Sequence, residues 1–169
     1  MAENDTFAEF GDAAGNGADD APQAGVLSQY VKDLSFENPN APAIYQQQNA
    51  PAIDVQFNIG SNKVGDDVYE VALKIEVRAQ AGEQVAFIVD LTYAGLFALR
   101  NIPQEALDPF LLGEAPRILF PFARRVLADQ VRDGGFPPPM LEPIDFAGIY
   151  LQQRAQQEGA IGFEEAGHA

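Results

Sequence analysis

Asp33 and Glu37 are two carboxylates four residues apart in the stretch YVKDLSFENPNAP, Tyr30 to Pro42. Carboxylates near one another can hold a metal ion, act on a substrate by acid–base chemistry, or meet a cationic protein. They can also do nothing more than keep a surface soluble. The backbone between them limits the choice. Read as a strand, the stretch turns Leu34 and Phe36 one way and Asp33, Ser35 and Glu37 the other. At roughly 3.3 Å per residue the two carboxylates stand about 13 Å apart. That is too far to share one ion, and well suited to a spread basic partner.

The rest of the chain offers little catalytic equipment. Its single histidine, His168, is next to the last residue, and there is no cysteine for a disulfide, a thiol nucleophile or a zinc site. No GxxxxGK[ST] phosphate loop occurs and no GxGxxG follows a strand. An enzyme here would have to work with Asp and Glu alone, so none is expected, and no cofactor either. The net charge of −15 repels phosphate backbones, which argues against nucleic acid and favours a partner rich in Lys and Arg. No apolar run approaches the roughly 20 residues of a membrane span. The opening MAENDTFAEFGDAAGNGADDAP has neither a basic start nor a hydrophobic segment, so a cytoplasmic location is expected.

What must position the carboxylates is a single folded unit, since 169 residues at 47% hydrophobic content suit one domain with its own core. Residues 1–25 read as a disordered acidic arm, 26–155 as the folded domain, and 156–169 as a disordered tail. Four segments inside the domain alternate with period two. The first contains Asp33 and Glu37. IDVQFNI puts Ile53, Val55, Phe57 and Ile59 on one face, and SNKVGDD reads as the turn after it. DVYEVALKIEVRA carries Tyr69, Val71, Leu73, Ile75 and Val77 on its dry side. QVAFIVDLTYAGLF follows the AGE turn with Phe87, Val89, Leu91 and Tyr93 in one row and Ile88 and Asp90 opposite. Short turns and one-sided strands predict an antiparallel sheet covered on one face.

The cover follows in sequence. Leu119, Phe122, Ala123, Val126, Leu127 and Val131 recur at helical spacing until Gly134-Gly135, predicting a long helix over about Arg117 to Asp133, with proline tolerated only in its first turn. Asp145 can cap a second helix beginning FAGIYLQQRAQQ. Strands followed by helices predict an α+β fold. Between sheet and helix, AGLFALRNIPQEALDPFLLGEAPRILFPF is too apolar for an ordinary surface loop. It either folds over a sheet edge or walls a groove. With 12 Phe and 5 Tyr, aromatic lining is plentiful, and each client side chain buried there would contribute about 1.5–3 kcal/mol without demanding an exact sequence.

The motifs KDLSFENPNAP, DDVYEV, GEQVAF, ILFPFAR and GGFPPPMLEPIDF, in this order, resemble the SecB protein-export chaperones over about Tyr30 to Gln153. The resemblance implies a four-stranded antiparallel sheet with helices, one of them long, on one face, assembled as a homotetramer that is a dimer of dimers. It implies an ATP-independent holdase that keeps precursor proteins unfolded and passes them to the SecA ATPase. Asp33, Glu37, Ile88 and Asp90 match the positions that receive the basic, zinc-bearing tail of SecA, so any zinc belongs to the partner. Val89, Leu91 and Tyr93 match positions concerned with packing between protomers, and the long helix is implied at the dimer–dimer contact. Tyr45, Phe87, Phe122, Phe146 and Tyr150 match the client groove, though the same residues would serve equally as core. The chain departs from the family pattern at Asn49, where Trp is common, at Ile88 and Asp90, where Leu and Glu are common, and in its longer arm. A dedicated adaptor or antitoxin-type chaperone for one partner is the alternative, and an acid-based hydrolase a distant third class.

Overall fold

The computed structural model describes residues 20–165, with side chains as far as Gly159. Four strands come first: β1 (Gln23–Glu37), β2 (Ala52–Gly65), β3 (Val68–Ala81) and β4 (Gln84–Arg100). A single 3₁₀ turn, Ala43–Gln46, interrupts the connection from β1 to β2. The helical half follows as α1 (Gln104–Pro109), a π-helical turn (Phe110–Glu114), α2 (Ala115–Asp133) and α3 (Phe146–Glu165). The sheet order is β1-β4-β3-β2, antiparallel throughout. β1 therefore crosses the sheet to pair with the last strand, which leaves β1 and β2 as the two edges.

The alternation read from the sequence is the alternation of burial. On β3, Val71, Leu73, Ile75 and Val77 have no exposed surface, and neither do Val89 and Leu91 on β4. α2 closes over them with Leu119, Ala123, Leu127 and Val131, four residues spaced to share one stripe of the helix. The approach is close at Gly95, where an added Cβ would lie 2.8 Å from a Leu119 methyl. α3 adds Phe146, edge-on to Phe57 of β2 and Phe120 of α2. The opposite face of the sheet carries no helix, which is why it tolerates Lys74, Glu76 and Arg78.

The elements are longer than their sequence signals. β1 begins at Gln23, inside the expected arm, and holds its register with two bulges, at Leu27 and Lys32. The second bulge sets Tyr30 opposite Ala94 and Asp33 opposite Thr92, so both project from the helix-free face. SNKVG is strand rather than turn. The hairpin closes at Asp66-Asp67, where Asp67 takes φ 56° and its carbonyl accepts from the Leu99 amide at 2.8 Å. Leu96, Phe97 and Leu99 continue β4 instead of opening a crossover, because Phe97 and Leu99 are core residues. Pro121 sits inside α2, not in its first turn. Gly148 donates its amide to Asp145 Oδ1 at 3.0 Å, the expected cap of α3. α3 runs to Glu165, past Gln156 where the tail was expected. The remainder of the arm and tail, residues 1–19 and 166–169, lies outside the described residues.

Candidate functional site

Two surfaces stand out, and the sheet separates them. The first is the helix-free face. Register places Ser35 opposite Asp90 and Glu37 opposite Ile88 across the β1–β4 pair, and Glu76 opposite Asp90 and Arg78 opposite Ile88 across β3–β4. Directly paired residues share a face, so Asp33, Glu37, Ile88 and Asp90 all project together, as the parity of the sequence requires. Asp33 and Glu37 are exposed. Asp90 lies between Ser35 and Glu76 and is moderated by Lys74, whose Nζ is 3.7 Å away. A half-exposed pair at that separation contributes roughly 0.2–1 kcal/mol and leaves the carboxylate accessible. Among the described residues no group of three or more His, Cys, Asp or Glu is arranged to hold a metal.

At the far end of the same face a tighter polar knot fastens the edge strand. Tyr30 Oη donates to one oxygen of Glu70, and Lys32 Nζ donates to the other at 2.6 Å. The hydrogen bond from Lys32, seconded by that from Tyr30, holds the Glu70 carboxyl below its ordinary value. Burial, followed by the hydrogen bond to Glu70, pushes the Tyr30 phenol up to about 12. Lys32 reaches Glu70 from the bulge, so the irregularity in β1 also builds the knot.

The second surface is an apolar groove of about 500 Å³ at the end of the sheet where α2 finishes. Phe87, Ala81 and Ala86 form its floor. Ile44, Tyr45 and the 47–53 segment form one wall, and Gly135, Phe136 and Pro137–Pro139 form the other. Phe136 packs on Phe87 with ring centroids 4.9 Å apart, and Tyr45 packs on Phe136 at 5.4 Å. Tyr45 Oη donates to the Gly134 carbonyl at 2.8 Å and accepts from Asn38 Nδ2 at 2.7 Å. Asn40 Nδ2 pins the base of the same loop to the Val85 carbonyl at 2.8 Å.

The five residues matched to a client groove fall in three places. Tyr45 and Phe87 line this groove. Phe146 and Tyr150 line a smaller depression of about 140 Å³ between β2 and α3, with Phe57 and Ile149. Phe122 lies on the outer side of α2, 46% exposed, in neither. Sequence reasoning missed Phe136 and the three prolines behind it. The signal was visible in GGFPPP, where a helix stop is followed by an aromatic and a stiff extended run that cannot collapse into a helix.

The row Val89, Leu91 and Tyr93 requires a correction. Val89 and Leu91 have no exposed surface and Tyr93 has 7%, because α2 of the same chain covers them. These side chains pack beneath α2 and do not form an open apolar row on the surface of the chain. Exposed apolar side chains lie elsewhere, among them Val26, Leu27, Val31 and Leu34 along the edge strand and Phe122 on α2.

Comparison with known proteins then places this architecture. The family profile of the preprotein translocase subunit SecB matches residues 17–157. The chain belongs to the SecB family. A protein-export protein SecB from Rhizorhabdus wittichii is 60% identical over 158 residues, covering 94% of this chain and 95% of the relative. The SecB of Zymomonas mobilis is 62% identical over 151 residues, covering 89% and 92%. Among solved structures, the SecB-like chaperone Rv1957 of Mycobacterium tuberculosis, in complex with a peptide from the HigA1 antitoxin, has the same fold. Its TM-score is 0.62 at 18% identity, covering 72% of this chain and 90% of that one.

Proposed function

We propose that this chain, a SecB-family chaperone of protein export, holds unfolded precursors in the Phe87–Phe136 groove and passes them to SecA through the acidic sheet face. The observation that carries the proposal is the separation of the two surfaces. The groove is apolar, open and stiffened by prolines, while the carboxylates of β1 and β4 share the bare face of the sheet. An apolar trough selects for exposed hydrophobic side chains without reading an exact sequence. A flat acidic surface captures a cationic segment, with a rate and affinity that fall as salt rises. Neither surface contains a nucleophile, a phosphate loop or a metal set, so holding needs no nucleotide. The work is done in the cytoplasm on chains that have not yet crossed a membrane.

Assembly as a dimer of dimers is part of the same proposal. The exposed apolar residues of edge strand β1, and Phe122 on α2 with the half-buried Ile118 and Val126 one turn to either side, are the surfaces that further copies would cover. Exposed apolar patches of this kind mark association sites. The test is direct. The purified protein should suppress aggregation of several unrelated unfolded clients without nucleotide, run at about four chains by light scattering, and bind SecA at low salt. Activity toward one partner alone would favour a dedicated adaptor instead.

A further inference from the structure

The walls of the apolar groove come from distant parts of the chain, and ring contacts alone would not fix their spacing. Tyr45, Phe136 and Phe87 pack at centroid separations near 5 Å, but such contacts tolerate sliding. The directional tie across the groove is the Tyr45 hydroxyl, which reaches the Gly134 carbonyl 89 positions further along the chain. Asn38 Nδ2 donates to that hydroxyl at 2.7 Å and, more weakly at 3.4 Å, to the same carbonyl. The two glycines make the approach possible. A Cβ on Gly134 would sit 2.2 Å from the Phe36 ring, and one on Gly135, already at φ +82°, would sit 3.2 Å from the Tyr45 ring.

We infer that the Tyr45 hydroxyl, aimed by Asn38, sets the width of this groove and so the size of the client side chain that it admits. The inference rests on the groove being the client site. Tyr45 is 49% exposed, so its hydroxyl competes with water and adds little to global stability. A phenylalanine would supply the same ring contact with Phe136. Asn38 Oδ1, moreover, is buried without a partner. Its Nδ2 is used to orient Tyr45. Both are positioning residues, acting through the gap between the walls.

The test uses the full-length protein in its native assembly and dansyl-labelled peptides identical except for a central Ala, Leu or Trp. Wild type should favour Leu over Trp. Tyr45→Phe keeps the ring and should reduce the Leu-over-Trp preference about three- to tenfold, the value of one hydrogen bond, with little change in Tm. Asn38→Ala should relax the preference in the same direction with Tyr45 intact. Amide exchange at Gly135 and Phe136, measured without peptide, should quicken in Tyr45→Phe. An unchanged Leu-to-Trp ratio, whether with lowered Tm or with all peptides weakened equally, would overturn the inference. So would unaltered exchange. If wild type binds none of the peptides, the groove is not the client site, and the inference falls with that proposal.

Discussion

Asp33 and Asp90 project from the same face of the sheet on neighbouring strands, one register step apart. Asp90 stands opposite Ser35 and Asp33 opposite Thr92. With Glu37 opposite Ile88, three carboxylates spread over two adjacent strands on a surface that no helix covers. Charge reversal at any one of them should weaken docking of a cationic partner. Asp33→Lys or Glu37→Lys should lower affinity for SecA about three- to tenfold at low salt, with the difference narrowing at high salt. Titration at two ionic strengths measures both effects, and equal affinities at low salt would move the docking site elsewhere.

Lys74 gives the opposite sign. Its ammonium, 3.7 Å from Asp90, offsets part of the acidic field on this face. Lys74→Gln should leave the fold unchanged, since the pair is only half-buried and contributes at most about 1 kcal/mol. It should modestly strengthen binding of the same cationic partner. Weakened binding would mean that Lys74 itself contacts the partner.

The Tyr30–Glu70–Lys32 knot predicts a pH dependence on both sides of neutrality. The Tyr30 pKa is raised to about 12, so its contribution is complete below the ordinary tyrosine value near 10 and lost as pH climbs toward 12. The Glu70 pKa is lowered, so its contribution is present above the ordinary carboxylate value and lost as pH falls through the lowered one. Glu70→Gln should bring the Tyr30 phenolate transition, followed by ultraviolet absorbance, back toward 10. It should also loosen β1 by roughly 1–3 kcal/mol, the worth of hydrogen bonds to a charged group.

Burial separates two substitutions that the sequence alone would treat alike. Val89→Arg forces a charge under α2, where nothing pairs it, and should unfold the chain rather than release folded dimers. Phe122→Ser, on an exposed site of α2, should keep the fold and reduce the assembled mass if that stripe joins copies. Circular dichroism with light scattering distinguishes the two outcomes, and a folded, soluble Val89→Arg protein would contradict the core assignment.

Gly134→Ala tests packing without a backbone penalty. Gly134 has φ −75°, which any residue adopts, yet its Cβ would overlap the Phe36 ring at 2.2 Å. The substitution should cost about 1–3 kcal/mol, as overpacked cores do, and lower Tm by several degrees in a thermal scan.

The sequence by itself determined the faces of the strands, the Leu119, Ala123, Leu127 and Val131 part of the helix stripe and the cap at Asp145, because period two, period 3.6 and an N-cap oxygen are local properties of backbone geometry; Phe122, read with that stripe, instead lies exposed. It also placed Asp33, Glu37, Ile88 and Asp90 away from the core, since parity within a strand survives whatever the strand pairs with. The tertiary structure decided the rest. Val89, Leu91 and Tyr93 read as the dry face of a strand, but no local pattern tells a surface between chains from one within a chain, and only the fold shows α2 of the same chain laid across them. SNKVG reads as a turn because its residues prefer turns, but pairing with β3 through Gly65 and Val68 outweighs that preference. The groove depends on contacts between segments nearly ninety positions apart. Such a cavity exists only once the chain has closed on itself.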